Sequence, residues 1–113
     1  MLREICDRYR CLLIADEVIT GFGRTGKMFA CEHWGITPDI MTVAKGLTSG
    51  YIPMGGAILR KPIADAFVGS PQAAFKHVIT FGGHPVAAAA ALKNIQIMEE
   101  EGMVENSARM GRY

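Results

Sequence analysis

The chain has 113 residues, half of them apolar, and its 12 Lys and Arg against 11 Asp and Glu leave a formal charge of +1. That length holds about one small domain. The balance excludes a disordered tail and a polyanion-binding surface, so nucleic acid is not an expected partner. No apolar run approaches the roughly 20 residues that span a bilayer. The opening MLREICDRYRCLLIA carries Arg3, Glu4, Asp7, Arg8 and Arg10 where a signal peptide needs an unbroken apolar core. A cytoplasmic protein with no membrane partner is expected.

Leu2, Ile5, Cys6 and Tyr9 fall on one stripe of a helix over residues 2–10, with charges opposite, as in a helix covering a sheet. CLLIAD, residues 11–16, is then a continuous apolar run, the signature of a strand buried on both faces. Beyond it Gly21, Gly23 and Gly26 take the spacing G-x-G-x-x-G. KMFACEHWG gives at most two helical turns before Gly35 and Thr37-Pro38 stop it. DIMTVAKG supplies a second buried strand ending near Ala44, and YIPMGGAILRK a third, with Gly55-Gly56 allowing a bulge or a close approach.

KPIADAFVG reads as a short helix with Pro62 in its first turn. In SPQAAFKHVITFGGHP only HVITF is extended. From Pro85 the alanine-rich run forms the strongest helix of the chain, kinked at Gly102 and continuing into VENSARMGRY. Helices alternating with buried strands predict an α/β fold with a mostly parallel sheet. Two or three buried strands need more covering helices than this chain supplies, so it reads as an incomplete piece of a larger domain.

The glycine spacing raises a dinucleotide-binding loop as one reading. Such a loop has its first glycine at the strand-to-helix turn and a long helix behind it. Here the strand ends near Asp16, five residues before Gly21, and Pro38 puts Asp39, the one candidate for a ribose-binding acid, at a strand entrance. Nucleotide binding is therefore disfavoured. Cys6, Cys11 and Cys31 are odd in number and lack C-x-x-C spacing, so no metal is expected, and free thiols suit a reducing compartment. Cys31-Glu32-His33 is the one grouping that resembles a ligand cluster. His33, His77 and His84 have no serine or cysteine at a triad spacing and read as loop or surface residues.

Charged residues close both of the first two strands. Asp16 and Lys45 are 29 positions apart, and if their strands are parallel neighbours both side chains emerge at the carboxyl edge of the sheet, where α/β sheets bind ligands. On spacing alone, a structural ion pair, or an exposed lysine and a loop carboxylate, accounts for them as well.

LLIADEV, TVAKGL, MGGAI and TFGGHP occur in that order. With them nearly the whole chain resembles the class III, or ω-amino acid, aminotransferases, which use pyridoxal 5'-phosphate (PLP). CEHWGITPDI is most similar to the branch that takes ω-amino acids or amines with pyruvate as acceptor. The resemblance implies an incomplete fold type I large domain over residues 1–101, with 102–113 a helical lead towards a small C-terminal domain.

It also implies roles. Lys45 forms the internal aldimine with PLP and moves a proton between substrate and cofactor once released. Asp16 pairs with the pyridine nitrogen. Val18 packs on one face of the ring, an ordinary core position being the alternative. Thr80 binds the cofactor phosphate in the neighbouring subunit of a homodimer, or else caps its own turn. The glycines form a tight loop beside the cofactor, Arg24 braces it rather than clamping a carboxylate, and Glu17 is a loop or supporting group. Substrates are an amine or amino acid and a keto acid. A PLP-dependent aminomutase or decarboxylase of the same fold, or a non-catalytic remnant, are the alternatives. The 113 residues alone are expected neither to fold stably nor to turn over substrate.

Overall fold

The computed structural model describes residues 1–113. Helix α1, Leu2–Tyr9, ends at Arg10, whose left-handed backbone (φ 54°) lets the Cys11 amide reach back to the Cys6 carbonyl at 2.9 Å. Strands β1 (Ile14–Asp16), β2 (Ile40–Val43) and β3 (Gly56–Leu59) then form one sheet in the order β1-β2-β3. Strands β1 and β2 run parallel, pairing Ile14 with Ile40 and Asp16 with Thr42. A connection through a short 3-10 helix, Ala30–Trp34, joins them. Strand β3 runs antiparallel to β2, pairing Ile40 with Leu59 and Val43 with Gly56. The sheet is thus mixed, because residues 44–55 turn the chain straight back beside β2 instead of carrying it over a helix.

Helix α2, Lys61–Asp65, has Pro62 in its first turn and is shorter than the run to Gly69 suggests. HVITF does not join the sheet, whose members are β1, β2 and β3 only. Helix α3, Pro85–Glu100, starts on proline at a first-turn position and ends before Gly102. Gly102 takes a left-handed conformation (φ 59°), so the expected kink is a full break, and α4, Met103–Met110, begins as a separate helix.

The apolar core is small. Ala87, Ala91 and Met98 lie on one face of α3 and are buried, as is Val43 on β2. Ten of the 113 residues are buried, and Leu12, Ile14 and Ile58 are more than half exposed. The strands are therefore not covered on both faces as their composition predicts, since nothing in these residues lies over those side chains. The outline is a slab of 50 × 39 × 18 Å with a radius of gyration of 16.2 Å, against about 13 Å for a compact domain of this length.

Candidate active site

Parallel pairing of adjacent strands fixes the main geometric relation. Asp16 is the last residue of β1, and Lys45 follows the end of β2 by two residues, so both lie at the carboxyl edge of the sheet. Both are exposed. The Asp16 carboxylate is oriented through one oxygen: Oδ1 accepts from the Val18 amide and from the Thr42 hydroxyl, each at 3.1 Å. Thr42 is its register partner on β2, so the strand pairing itself supplies the donor. Oδ2 takes no hydrogen bond within the chain, and Lys45 Nζ takes part in no hydrogen bond or ion pair. The structural ion pair allowed by spacing is absent, and both groups remain available to a ligand.

Lys45 has a left-handed backbone (φ 44°), a conformation rare for a residue with a side chain, and opens a single 3-10 turn, Lys45–Leu47. It lines one small cavity with Val18, Ile19, Gly21, Phe22, Arg24 and Gly46. Lys45 and Val18 are thus brought together. Thr80 is not in that cavity; it sits exposed in the connection between α2 and α3.

The glycine-rich loop is a packing device here. A Cβ on Gly26 would lie 2.7 Å from the Ala108 Cα of α4, and its φ of 84° disfavours any side chain. The loop is tied to α4 again where the Ser107 hydroxyl donates to the Arg24 carbonyl at 3.3 Å. Bracing at Arg24 therefore comes from its backbone, while its exposed side chain faces the Lys45 cavity.

Glu17, whose role the sequence left open, is the hub behind this loop. It is 2 % exposed, and its carboxylate accepts from the Thr20 hydroxyl, the Ala30 amide at 3.0 Å and the Cys31 amide at 2.8 Å. Burial pushes its carboxyl up, but the Thr20 hydroxyl and the Cys31 and Ala30 amides outweigh that and hold it below the usual range. Burial first, and then the Glu17 charge, push the Cys31 thiol up. Glu32 accepts from the Phe29 amide at 2.7 Å, and His33 Nε2 lies 3.1 Å from both the carbonyl and the hydroxyl of Thr25. The side chains of Glu32 and His33 are thus committed to different partners, and Cys31 meets Glu17 through its amide.

At the opposite edge of the sheet Asp39 precedes β2 and is buried. It accepts from the Leu13 amide at 2.8 Å, from Arg3 at 2.7 Å and from Arg60 at 3.1 Å. The Leu13 amide and the Arg3 guanidinium, with Arg60, outweigh its burial and hold its carboxyl at about 2. Asp39 is thus a structural clasp and not a ribose-binding acid.

The donor set suits PLP. An aldehyde needs an uncommitted amine, and a protonated ring nitrogen needs a carboxylate with a free oxygen; the carboxyl edge offers one of each. Glu17 was missed as a hub because two of its three partners lie 13 and 14 residues away and are backbone amides, which leave no mark on residue type.

A family model described as aminotransferase class-III matches residues 1–113. The putrescine–pyruvate aminotransferase of Pseudomonas aeruginosa is 53% identical over 104 residues, covering 92% of this chain and 22% of that protein. The omega-amino acid–pyruvate aminotransferase of Pseudomonas putida is 44% identical over 115 residues, covering 98% and 26%. An amine transaminase from an uncultivated Pseudomonas species, solved in the PLP-bound (internal aldimine) form, is 48% identical with a TM-score of 0.93, over 98% of this chain and 26% of that one. The chain spans about a quarter of the length of the curated relatives it matches.

Proposed function

The chain belongs to the class-III aminotransferases, and from that membership we propose that the full-length protein transfers an amino group between an ω-amino acid or amine and a keto acid such as pyruvate. Relatives named for putrescine and for omega-amino acids with pyruvate support this substrate class. The observation that carries the proposal is the parallel pairing of β1 with β2, which leaves the free oxygen of Asp16 and the free amine of Lys45 at one sheet edge.

The family is PLP-dependent, and PLP when bound supplies an electron sink for a substrate carbon that loses its proton. Lys45 would be the covalent anchor of the cofactor, and its amine, once free, would be the group that takes up and returns that proton. Asp16 would hold a proton on the ring nitrogen of the bound cofactor with its uncommitted oxygen, since Oδ1 is bonded to Thr42 and Val18. Val18, which lines the same cavity as Lys45, would pack on the cofactor ring. Thr80 would donate its hydroxyl to the cofactor phosphate of a neighbouring subunit in a homodimer, a role compatible with its exposed position outside the Lys45 cavity. Residues 102–113 lead towards a small domain. No helix is long and apolar enough to cross a membrane, and three free thiols support a cytoplasmic location.

Borohydride reduction of the full-length holoenzyme, followed by peptide mass mapping, tests the reading. The pyridoxyl group is expected on Lys45, and amine turnover is expected to require the keto acid. A label on another lysine, or turnover without the acceptor, overturns it.

A further inference from the structure

Lys45 is held in its unusual backbone conformation by contacts on two sides. On one side stands the glycine-rich loop: a Cβ on Gly46 would lie 3.0 Å from the Phe22 Cβ, so Phe22 presses directly on the residue after Lys45. Phe22 itself has a left-handed backbone (φ 57°). On the other side stands α3. Asn94 directs its amide at the turn, donating to the Gly46 carbonyl at 2.8 Å and to the Leu47 carbonyl at 3.1 Å. Its own oxygen accepts from the Ser49 hydroxyl at 2.6 Å.

The remaining links close the turn from within. The Thr48 amide donates to the Lys45 carbonyl at 3.2 Å, and the Thr48 hydroxyl, 2 % exposed, donates to the Ile52 carbonyl at 2.7 Å. Ser49 has a left-handed backbone as well (φ 51°). Two side-chain-bearing residues of one five-residue stretch in that region persist only where the surroundings over-determine them. Asn94 is the one side chain outside the stretch that hydrogen-bonds to it, and it uses both faces of its amide.

We propose that Asn94 is a positioning residue for Lys45: by gripping the carbonyls of Gly46 and Leu47 and the hydroxyl of Ser49 from α3, it fixes where the Lys45 side chain leaves the backbone. The inference rests on the reading of Lys45 as the cofactor-anchoring lysine. Asn94 touches neither substrate nor cofactor in this role. Its effect is geometric, since a small rotation at the Lys45 backbone swings the amine at the end of a four-carbon arm out of reach of its target.

The test uses the full-length protein freed of cofactor. Pyridoxal and borohydride are added, and labelling of Lys45 is followed by peptide mass mapping against the exposed Lys76 as internal control. In Asn94→Leu, labelling of Lys45 relative to Lys76 is expected to slow about tenfold or more, as three directed hydrogen bonds to the turn are lost, with melting lowered only slightly. The reloaded variant should lose kcat with little change in KM. Asn94→Asp keeps the shape and the acceptor for Ser49 but removes the amide donor, and it must show the same loss should the leucine variant fail to fold. Labelling of Lys45 at the wild-type rate in both variants overturns the inference alone. Labelling of a different lysine in the wild type overturns the reading of Lys45 on which it rests.

Discussion

The two edges of the sheet each carry an aspartate, and the two are treated in opposite ways. Asp39, at the amino end of β2, is buried and satisfied by one amide and two guanidinium groups. Asp16, at the carboxyl end of β1, is exposed and has one oxygen bonded and the other free. Both sit at strand ends and both carry a negative charge, so residue type does not separate them. What separates them is saturation. A carboxylate whose acceptors are all used can only hold the fold together, whereas one oriented through a single oxygen is fixed in place and still able to receive a ligand.

If that contrast is sound, substitutions at the two edges should fail in different assays. The largest effect belongs to Lys45→Ala in the full-length enzyme, where turnover of an amine with pyruvate is expected to fall by about ten-thousandfold while the melting temperature stays near wild type. Asp16→Asn comes next, with a loss of roughly a hundred- to a thousandfold in turnover and cofactor still bound, as read by its absorbance after gel filtration. Retention of wild-type rates in either variant would break the contrast at its active edge.

At the other edge, Asp39→Asn is expected to keep its activity per folded molecule and to lose stability, because Arg60 is left without an acidic partner and Arg3 keeps only Asp7. This loss depends on pH. Asp39 titrates at about 2 when folded against 3.8 ordinarily, so its contribution is complete above about pH 4 and is lost as pH falls through about 2. Melting curves of wild type and variant should therefore converge as the solution is acidified, and a constant gap would show that the clasp is not electrostatic. The smallest effect sharpens the contrast from between the edges. Gly26→Ala, strained by its left-handed backbone and by the approach of Ala108, should cost about 1–3 kcal/mol in denaturant unfolding.

Local chemistry was legible in the sequence, and relations between distant segments were not. Asp16 and Lys45 were readable at the ends of strands because short apolar runs bounded by turn residues mark a strand wherever it lies. The start of α3 at Pro85 and the break at Gly102 are likewise written in single residues. Asp39, by contrast, draws its donors from residues 21 to 36 positions away and from one backbone amide, and nothing in TPDI announces them. The reversal of β3 was hidden because the apolar run is the same in either direction. The exposure of Ile14 and Ile58 was hidden because composition records what a strand is suited to contact and not whether the contact is present. Asn94 was illegible for the same reason as Asp39: its targets are carbonyls 47 and 48 residues upstream.

The clasp at Asp39 also bears on how the strands find their alignment. It joins α1, the approach to β1, the start of β2 and the residue after β3 through one side chain. A slip of any strand by one position would carry its contact away by about 3.3 Å and turn it to the other face. Misthreaded versions of this three-stranded sheet would strand a charge in a dry place, so the same carboxylate that steadies the finished arrangement also discriminates against its near misses.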